Sequence, residues 1–381
     1  MAKRRFVIQV GLHHAGAGSL GEALAASAET LAEHGVHVPA RSREDARDAA
    51  LELRRLHRAH GRRRKDLEGS WARLCRRARK PSSAVPGAVV VAEDLLAGAG
   101  SDQIDLLLDS LAGFEVHVVV TAADPSHQLV RSWVQAVRDG SSLTLPRYAR
   151  RVLATDSEHD EALAFQAEQD LPEVLGRWAS EVGRADRVHV VVPDAGQDAA
   201  SASWAVVARL VGVDPVAVPL DLEGDPEPDL AGLAVLREVN EAVDGRTDAA
   251  TRRATALTSI LTPAGGDAPA DVDDLLALLP ETMLADLEQR GRLWAKAVQD
   301  GGHSVTGDPE RLVPALPATA TPAEPDVEHR LQVATDALAD LLVDVARLRE
   351  QVGDLEHRNA RLESKLEKKK RKLRDRLAEA G

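Results

Sequence analysis

"FVIQVGLHHAGAGSLGEAL", residues 6–24, is the stretch on which the fold turns. Phe6–Val10 is a short, almost continuous apolar run, the pattern of a strand covered on both faces. Small residues fill Gly11–Gly18. Leu20, Ala23, Leu24 and Leu31 then recur at helical spacing before Gly35, a residue suited to a helix C-terminus. Ser19-Leu20-Gly21-Glu22 matches a capping box and places the helix start at Ser19. Strand, small-residue turn and helix N-terminus form a layout that seats a phosphate or sulfate on backbone amides. Gly16 and Gly18 would let the main chain approach such an anion closely. Small residues also suit any tight turn between strand and helix, so the loop alone leaves both readings open.

The same alternation continues outward. "GAVVVAEDLL", "FEVHVVVTA" and "DRVHVVVPD" contain Val-rich runs at 89–92, 116–121 and 188–192. Helical patterns lie between them at 19–34, 45–60, 171–181 and 202–210. Short apolar strands alternating with helices predict an α/β domain with a mostly parallel sheet. Trp133 and Trp178 fall on helices expected to pack against that sheet.

With 381 residues, the chain is long enough for a large domain with appendages. A single cysteine, Cys75, excludes an internal disulfide framework and suits a reducing compartment. Lys3-Arg4-Arg5 precedes too short an apolar run for a signal peptide, and no stretch approaches the ~18–20 apolar residues of a membrane helix. A cytoplasmic protein without a membrane span is expected. The net charge of −13 hides two basic segments. Residues 41–80 carry fifteen Lys/Arg against six Asp/Glu, and residues 358–376 carry ten against three. Both segments suit an anionic partner, although aromatic rings for base stacking are nearly absent, which argues against nucleic acid.

Strand signals fade beyond Val218, so 221–313 reads as a helical extension of an α/β domain spanning 1–313, with 41–80 as a basic helical insertion. Residues 314–327 form a Pro/Ala-rich linker. Over 328–378 a heptad follows. Leu331, Leu338, Val345, Val352, Asn359, Leu366 and Leu373 occupy a, and Ala334, Leu341, Leu348, Leu355 and Leu362 occupy d. Val at a, Leu at d and one Asn at a favour a parallel two-stranded coil, hence self-association through 331–373. A helix folded back on its own domain is the alternative.

"VGLHHAGAGSLGEAL" resembles the 5′-phosphosulfate loop of the sulfotransferase family, whose bacterial members carry G-x-P-K-T-G-T-T-x-L-Q near the N-terminus. "HGVHVP", "VVVAEDLLAGA", "VHVVVTAADPSHQLVRSW", "LPEVLGRWASEVGRADRVHVVVPD" and "GVDP" follow in the family's order, so the resemblance covers roughly residues 5–310. It implies a three-layer, P-loop-like α/β fold. It also implies sulfuryl transfer from 3′-phosphoadenosine-5′-phosphosulfate to a hydroxyl or amine. Donor contacts would come from Gly11, His13, His14, Ala15, Gly16, Ala17, Gly18 and Ser19, with His14 in the catalytic lysine's place and Asp94 or Glu93 as base. The chain departs from the family at several positions. His14 replaces the lysine, Ala17 and Gly18 replace hydroxyl residues, and Ala123 stands where the 3′-phosphate arginine is expected. An inactive, sulfotransferase-like dimeric scaffold or ligand-binding protein is therefore the competing expectation. Glu93 or Asp94 also suits a helix cap.

Other chemistries find little support. His13 and His14 are adjacent, so their rings are expected to diverge; His117 and His189 are expected to pack within strands. No HExxH or Cys/His spacing calls for a metal, and no G-x-S-x-G elbow is present. Residues 16–21 match G-x-G-x-x-G, but the region that would hold the ribose-binding acid reads "HGVHVPARSRED", which is basic first.

Overall fold

The computed structural model describes residues 3–15, 18–80, 87–154, 159–222, 228–246, 270–315 and 326–379. Six strands form one all-parallel sheet: β1 (Arg4–Gln9), β2 (Val36–His37), β3 (Ala88–Ala92), β4 (Phe114–Thr121), β5 (Val188–Val191) and β6 (Ser304–Thr306). Their order is β2-β3-β1-β4-β5-β6, with β1 central between β3 and β4. Alternation along the strands divides the core. Phe6, Ile8, Val89, Val91, Val118, Val120, Val188 and Val190 face one side; Val7, Val90, Val119 and Val191 face the other.

The first side is covered by α3 (Arg43–Leu53), α4 (Arg64–Leu67), α5 (Ser70–Ala78), α6 (Ser101–Ser110) and α10 (Leu171–Val182). The second is covered by α1 (Ser19–Ala26), α2 (Ala28–Glu33) and α11 (Ala199–Val211). The three-layer α/β expectation thus holds at the level of architecture. A third cluster joins α7 (Pro125–Arg138), α8 (Leu145–Leu153), α9 (Asp160–Gln169), α12 (Leu230–Val243), α13 (Val272–Leu276) and α14 (Glu281–Asp300). Trp178 lies in the first core and Trp133 in this helical cluster.

Residues 41–80 contribute to the first core through Ala46, Ala50, Leu53, Leu67, Leu74 and Ala78. Several expectations need correction. Residues 221–313 are not only helical, because β6 adds an edge strand beside β5 in register His189↔Ser304. The helix expected over 45–60 stops at Leu53, where the Arg54 side chain turns inward to Leu95 O and Arg55 adopts φ 59°. The helix expected over 19–34 is divided at Ser27, the C-cap of α1 and N-cap of α2.

Of the Pro/Ala-rich linker, residues 316–325 lie outside the described residues. Helix α15 (Val327–Glu379) follows, 53 residues long and about 80 Å at 1.5 Å per residue. Its first turns fold against the domain: Val333 and Ala337 are buried with the α12 cluster, and Arg330 pairs with Glu238. These are c and g positions. The a and d residues Leu338, Leu341, Leu348, Val352, Leu355, Leu362 and Leu366 remain exposed along the rest of the helix. No helix among the described residues is long and apolar enough to cross a membrane.

Candidate functional site

The site lies beyond the C-terminal ends of β1, β3 and β4, where an open parallel sheet leaves a crevice at the reversal of its winding. β1 continues through Val10 into a turn whose amides point inward. Gly11 N–H donates to Val119 O (3.4 Å), Leu12 N–H to Thr121 O (2.7 Å), His13 N–H to Glu168 O (3.4 Å) and Ala15 N–H to Leu12 O (2.9 Å). Gly11 and His14 take left-handed backbone, φ 57° and 67°. A histidine pays a steric cost there that glycine avoids. Gly16 and Ala17 lie outside the described residues.

The expected capping box is absent. Helix α1 does begin at Ser19, but its N-cap is Gly18 in right-handed helical geometry, with no side chain closing the cap. A capping serine must itself sit at N-cap in extended backbone; Ser19 is already the first helical residue, one position too late.

His13 and His14 also differ from expectation. Their rings stack at 3.6 Å between centroids, because the left-handed turn at His14 folds its ring back over its neighbour. His13 Nδ1–H donates to Glu168 Oε2 at 2.7 Å, and Arg54 Nη1–H donates to Glu168 Oε1. Gln128 donates from its amide to His13 O (2.7 Å) and to Gln169. Burial disfavours charge on His13, yet the Glu168 carboxylate in contact with it, helped by Asp94, raises its pKa above the ordinary value. Burial likewise opposes ionisation of Glu168, but His13 and Arg54 hold it far below the usual carboxylate range. His14 moves the other way: burial, then the neighbouring His13 charge, push its pKa well below 6.5. Thus His13 holds its proton more readily than an ordinary histidine, and His14 is neutral at pH 7.

The β3 carboxylates separate in role. Glu93 is the N-cap of a 3₁₀ turn over Asp94–Gly98 and accepts from Leu95 N–H at 3.2 Å. Burial, followed by the Asp94 charge, raises its pKa to about 7. Asp94 reaches upward. Its Oδ1 lies 3.5 Å from where a Cβ on Gly11 would stand, and its Oδ2 lies 3.3 Å from that point on Gly18. The carboxylate therefore lies close to both Gly11 and Gly18. Burial raises its pKa; His13, Arg43 and Arg47 oppose that shift. Beneath it Gln9 is fully buried with no well-formed hydrogen bond, its amide close to Gly11 and leaning toward Asp94.

A cavity of about 440 Å³ opens above these groups. His14, Gly18, Ser19 and Asp94 form one wall, Arg43 of α3 a second, and Arg131, Gln135 and Arg138 of α7 a third. Asp198 at the N-terminus of α11 closes part of the rim. Of the residues expected from sequence, His14, Gly18, Ser19 and Asp94 are brought together. His13, Gly11, Ala15 and Glu93 sit behind them as structural support. Glu168, Arg54, Arg43, Arg131 and Arg138 were not anticipated. Residues 131, 134, 135 and 138 share a helix face, a detectable signal; Glu168, 155 positions from His13, leaves none.

The three cavity arginines suit an anionic ligand, and Asp94 and Asp198 limit where its charge can sit. Among the described residues no three His, Cys, Asp or Glu side chains group as metal ligands. In comparisons with known proteins, this chain matches no family model, no curated protein and no solved structure.

Proposed function

We propose that the chain is a dimeric ligand-binding protein of sulfotransferase-like architecture that takes an anionic ligand in the Arg43–Arg131–Arg138 cavity without transferring a sulfuryl group. The observation that carries this reading is the inward commitment of the loop. Four amides from Gly11 to Ala15 already donate to carbonyl oxygens, and the Asp94 carboxylate stands against Gly11 and Gly18 on the cavity wall, a negative charge beside any 5′-phosphosulfate placed there. Seating a ligand anion beside a carboxylate requires that both not be charged at once, or that the carboxylate move away. His14, its pKa held well below 6.5 by burial and by His13, supplies no cation at the bridging oxygen of a departing sulfuryl group. The exposed a/d stripe of α15 supports dimerisation.

One observation favours the enzymatic alternative: His14, Ser19 and Asp94 do face a single cavity. Titration calorimetry with 3′-phosphoadenosine-5′-phosphate separates the two. Binding that survives His14→Ala and disappears in Arg131→Glu supports the ligand-binding reading. Micromolar binding abolished by His14→Ala, together with turnover of the phosphosulfate donor, replaces it with transfer. No heat from the nucleotide, sulfate or pyrophosphate at millimolar concentration removes the cavity as an anion site.

A further inference from the structure

A second basic feature lies outside the cavity. After α3 ends at Leu53, the chain turns through left-handed Arg55 and runs to α4 as "RLHRAHGRRRK", residues 55–65, without one acidic residue. The loop is shaped by its own backbone bonds: Leu56 N–H to Leu51 O (2.9 Å) and Arg62 N–H to His57 O (2.7 Å). Leu53, Leu67 and Trp71 anchor both ends in the core.

Two of the segment's arginines have acidic partners. Arg62 pairs with Glu44 (2.8 Å) and Asp48 (3.0 Å), and Arg63 with Asp66 (2.8 Å). Arg54, the residue just before the loop, is buried against Glu168. Arg55, Arg58 and Arg64 differ. They line one hollow of about 580 Å³ with His57, Arg62 and Arg63. Among the described residues nothing hydrogen-bonds to or pairs with the side chains of these three. Glu52 and Glu68 line an adjoining hollow with Arg55, His57 and Arg64; there the Glu52 carboxylate is engaged by the amides of Gly69 and Trp71. The lining of this concavity is thus basic throughout, with Arg62 and Arg63 paired to neighbouring acids and Arg55, Arg58 and Arg64 unpaired among the described residues.

We infer that this hollow docks a flexible polyanion bearing closely spaced phosphate groups, of inorganic-polyphosphate type. Guanidinium forks match phosphate oxygens in pairs, and several phosphates on one chain engage several forks at once. A base-stacking surface favours exposed Trp, Tyr or Phe faces; segment 55–65 has none, and Trp71, which follows it, is packed in the core. The chain's net charge of −13 repels polyanions from most of its surface, which confines binding to the basic places. The proposal does not rest on the ligand of the Asp94 cavity.

The test uses the full chain and short-chain inorganic polyphosphate, followed by calorimetry at low and physiological salt. Arg55→Glu, Arg58→Glu and Arg64→Glu combined is expected to weaken binding at least about tenfold, and salt to weaken wild-type binding steeply. Lys368→Gln, Lys369→Gln and Lys370→Gln combined, in the other basic segment, is expected to leave affinity within about twofold. Should the triple glutamate variant fail to fold by circular dichroism, the milder Arg58→Gln/Arg64→Gln pair replaces it, with a smaller loss in the same direction. Three results overturn the inference: no wild-type binding at millimolar phosphate, equal or greater loss in the Lys368–Lys370 variant, or tighter binding of a single-stranded oligonucleotide of equal charge. The last would assign the surface to nucleic acid.

Discussion

His13 Nδ1 stands 2.7 Å from Glu168 Oε2, a contact between residues 155 positions apart that links the first βα turn to the end of α9. Both side chains are largely buried, and Arg54 shares the same carboxylate. Removing one member of a buried pair leaves uncompensated charge, which costs about 3–5 kcal/mol.

That contact gives stability a pH signature. His13 has a folded-state pKa above its ordinary 6.5, so its contribution is full below 6.5 and fades as pH rises through the raised value. Glu168 is depressed from 4.5, so its contribution is full above 4.5 and lost as pH falls through the lowered value. Between those ordinary values both are present. Glu168→Gln should cost about 3 kcal/mol near pH 5.5 and less at an alkaline pH beyond the raised His13 value, where Arg54 alone remains to be paired. Urea unfolding at both pH values measures it; a loss that does not change with pH would show His13 to be neutral in the fold.

Glu93 has the opposite dependence. Its pKa rises from 4.5 to about 7 through burial and Asp94, so the folded state favours the protonated acid. Stability is unaffected below 4.5, declines as pH climbs through about 7, and levels off above that, once the acid is ionised in both states. Glu93→Gln keeps an acceptor for Leu95 N–H and removes the titration. The variant should match wild type near pH 5 and exceed it by about 2 kcal/mol at pH 8, since one pKa unit corresponds to ~1.4 kcal/mol. Equal stability at pH 8 would mean that the carboxylate is better solvated than its position suggests.

Much of the architecture was legible because its signals are local. Four Val-rich runs bounded by polar residues marked β1, β3, β4 and β5, and each lies where its pattern placed it. β6 left no such mark: Ser304-Val305-Thr306 is short, has one aliphatic residue, and becomes a strand only because β5 offers a free edge. The capping box failed for a related reason. Its sequence is correct, but Gly18 occupies the cap, a fact of backbone geometry. At the site, His14 and Asp94 were found through the strand ends that carry them. Glu168 and Arg54 act at long range, and no spacing in the chain announces them.

β6 therefore offers a direct test of tertiary control. Gly307, which follows it, has φ 93°, and a Cβ there would lie 1.8 Å from Val192 O. Val192 N–H donates to Thr306 O at 2.9 Å, so an added methyl must push β6 off β5. Gly307→Ala should destabilise by about 2–3 kcal/mol. Gly196, at φ 71° with nothing within 4 Å, isolates backbone strain alone, and Gly196→Ala should cost about 1 kcal/mol. Equal losses in the two variants would show that steric closeness to Val192 is not what matters.

Helix α15 makes two kinds of contact from different faces, and these should separate experimentally. Val333 and Ala337 attach its first turns to the domain, whereas Leu341, Leu348, Leu355 and Leu362 hold their d positions in the open. Left alone in water, such a stripe is unfavourable by ~25 cal/mol per Å² of apolar surface, and a parallel partner removes most of that exposure. Light scattering should report a dimer for the full chain and a monomer for a chain ending at Pro314. Leu348→Lys with Leu355→Lys should also give monomers while leaving the domain's melting unchanged, because those residues do not touch it. Asn359→Val should raise the melting temperature of the coil and loosen its register, giving mixed association states. A dimer that persists after truncation at Pro314 would move the interface onto the α/β domain.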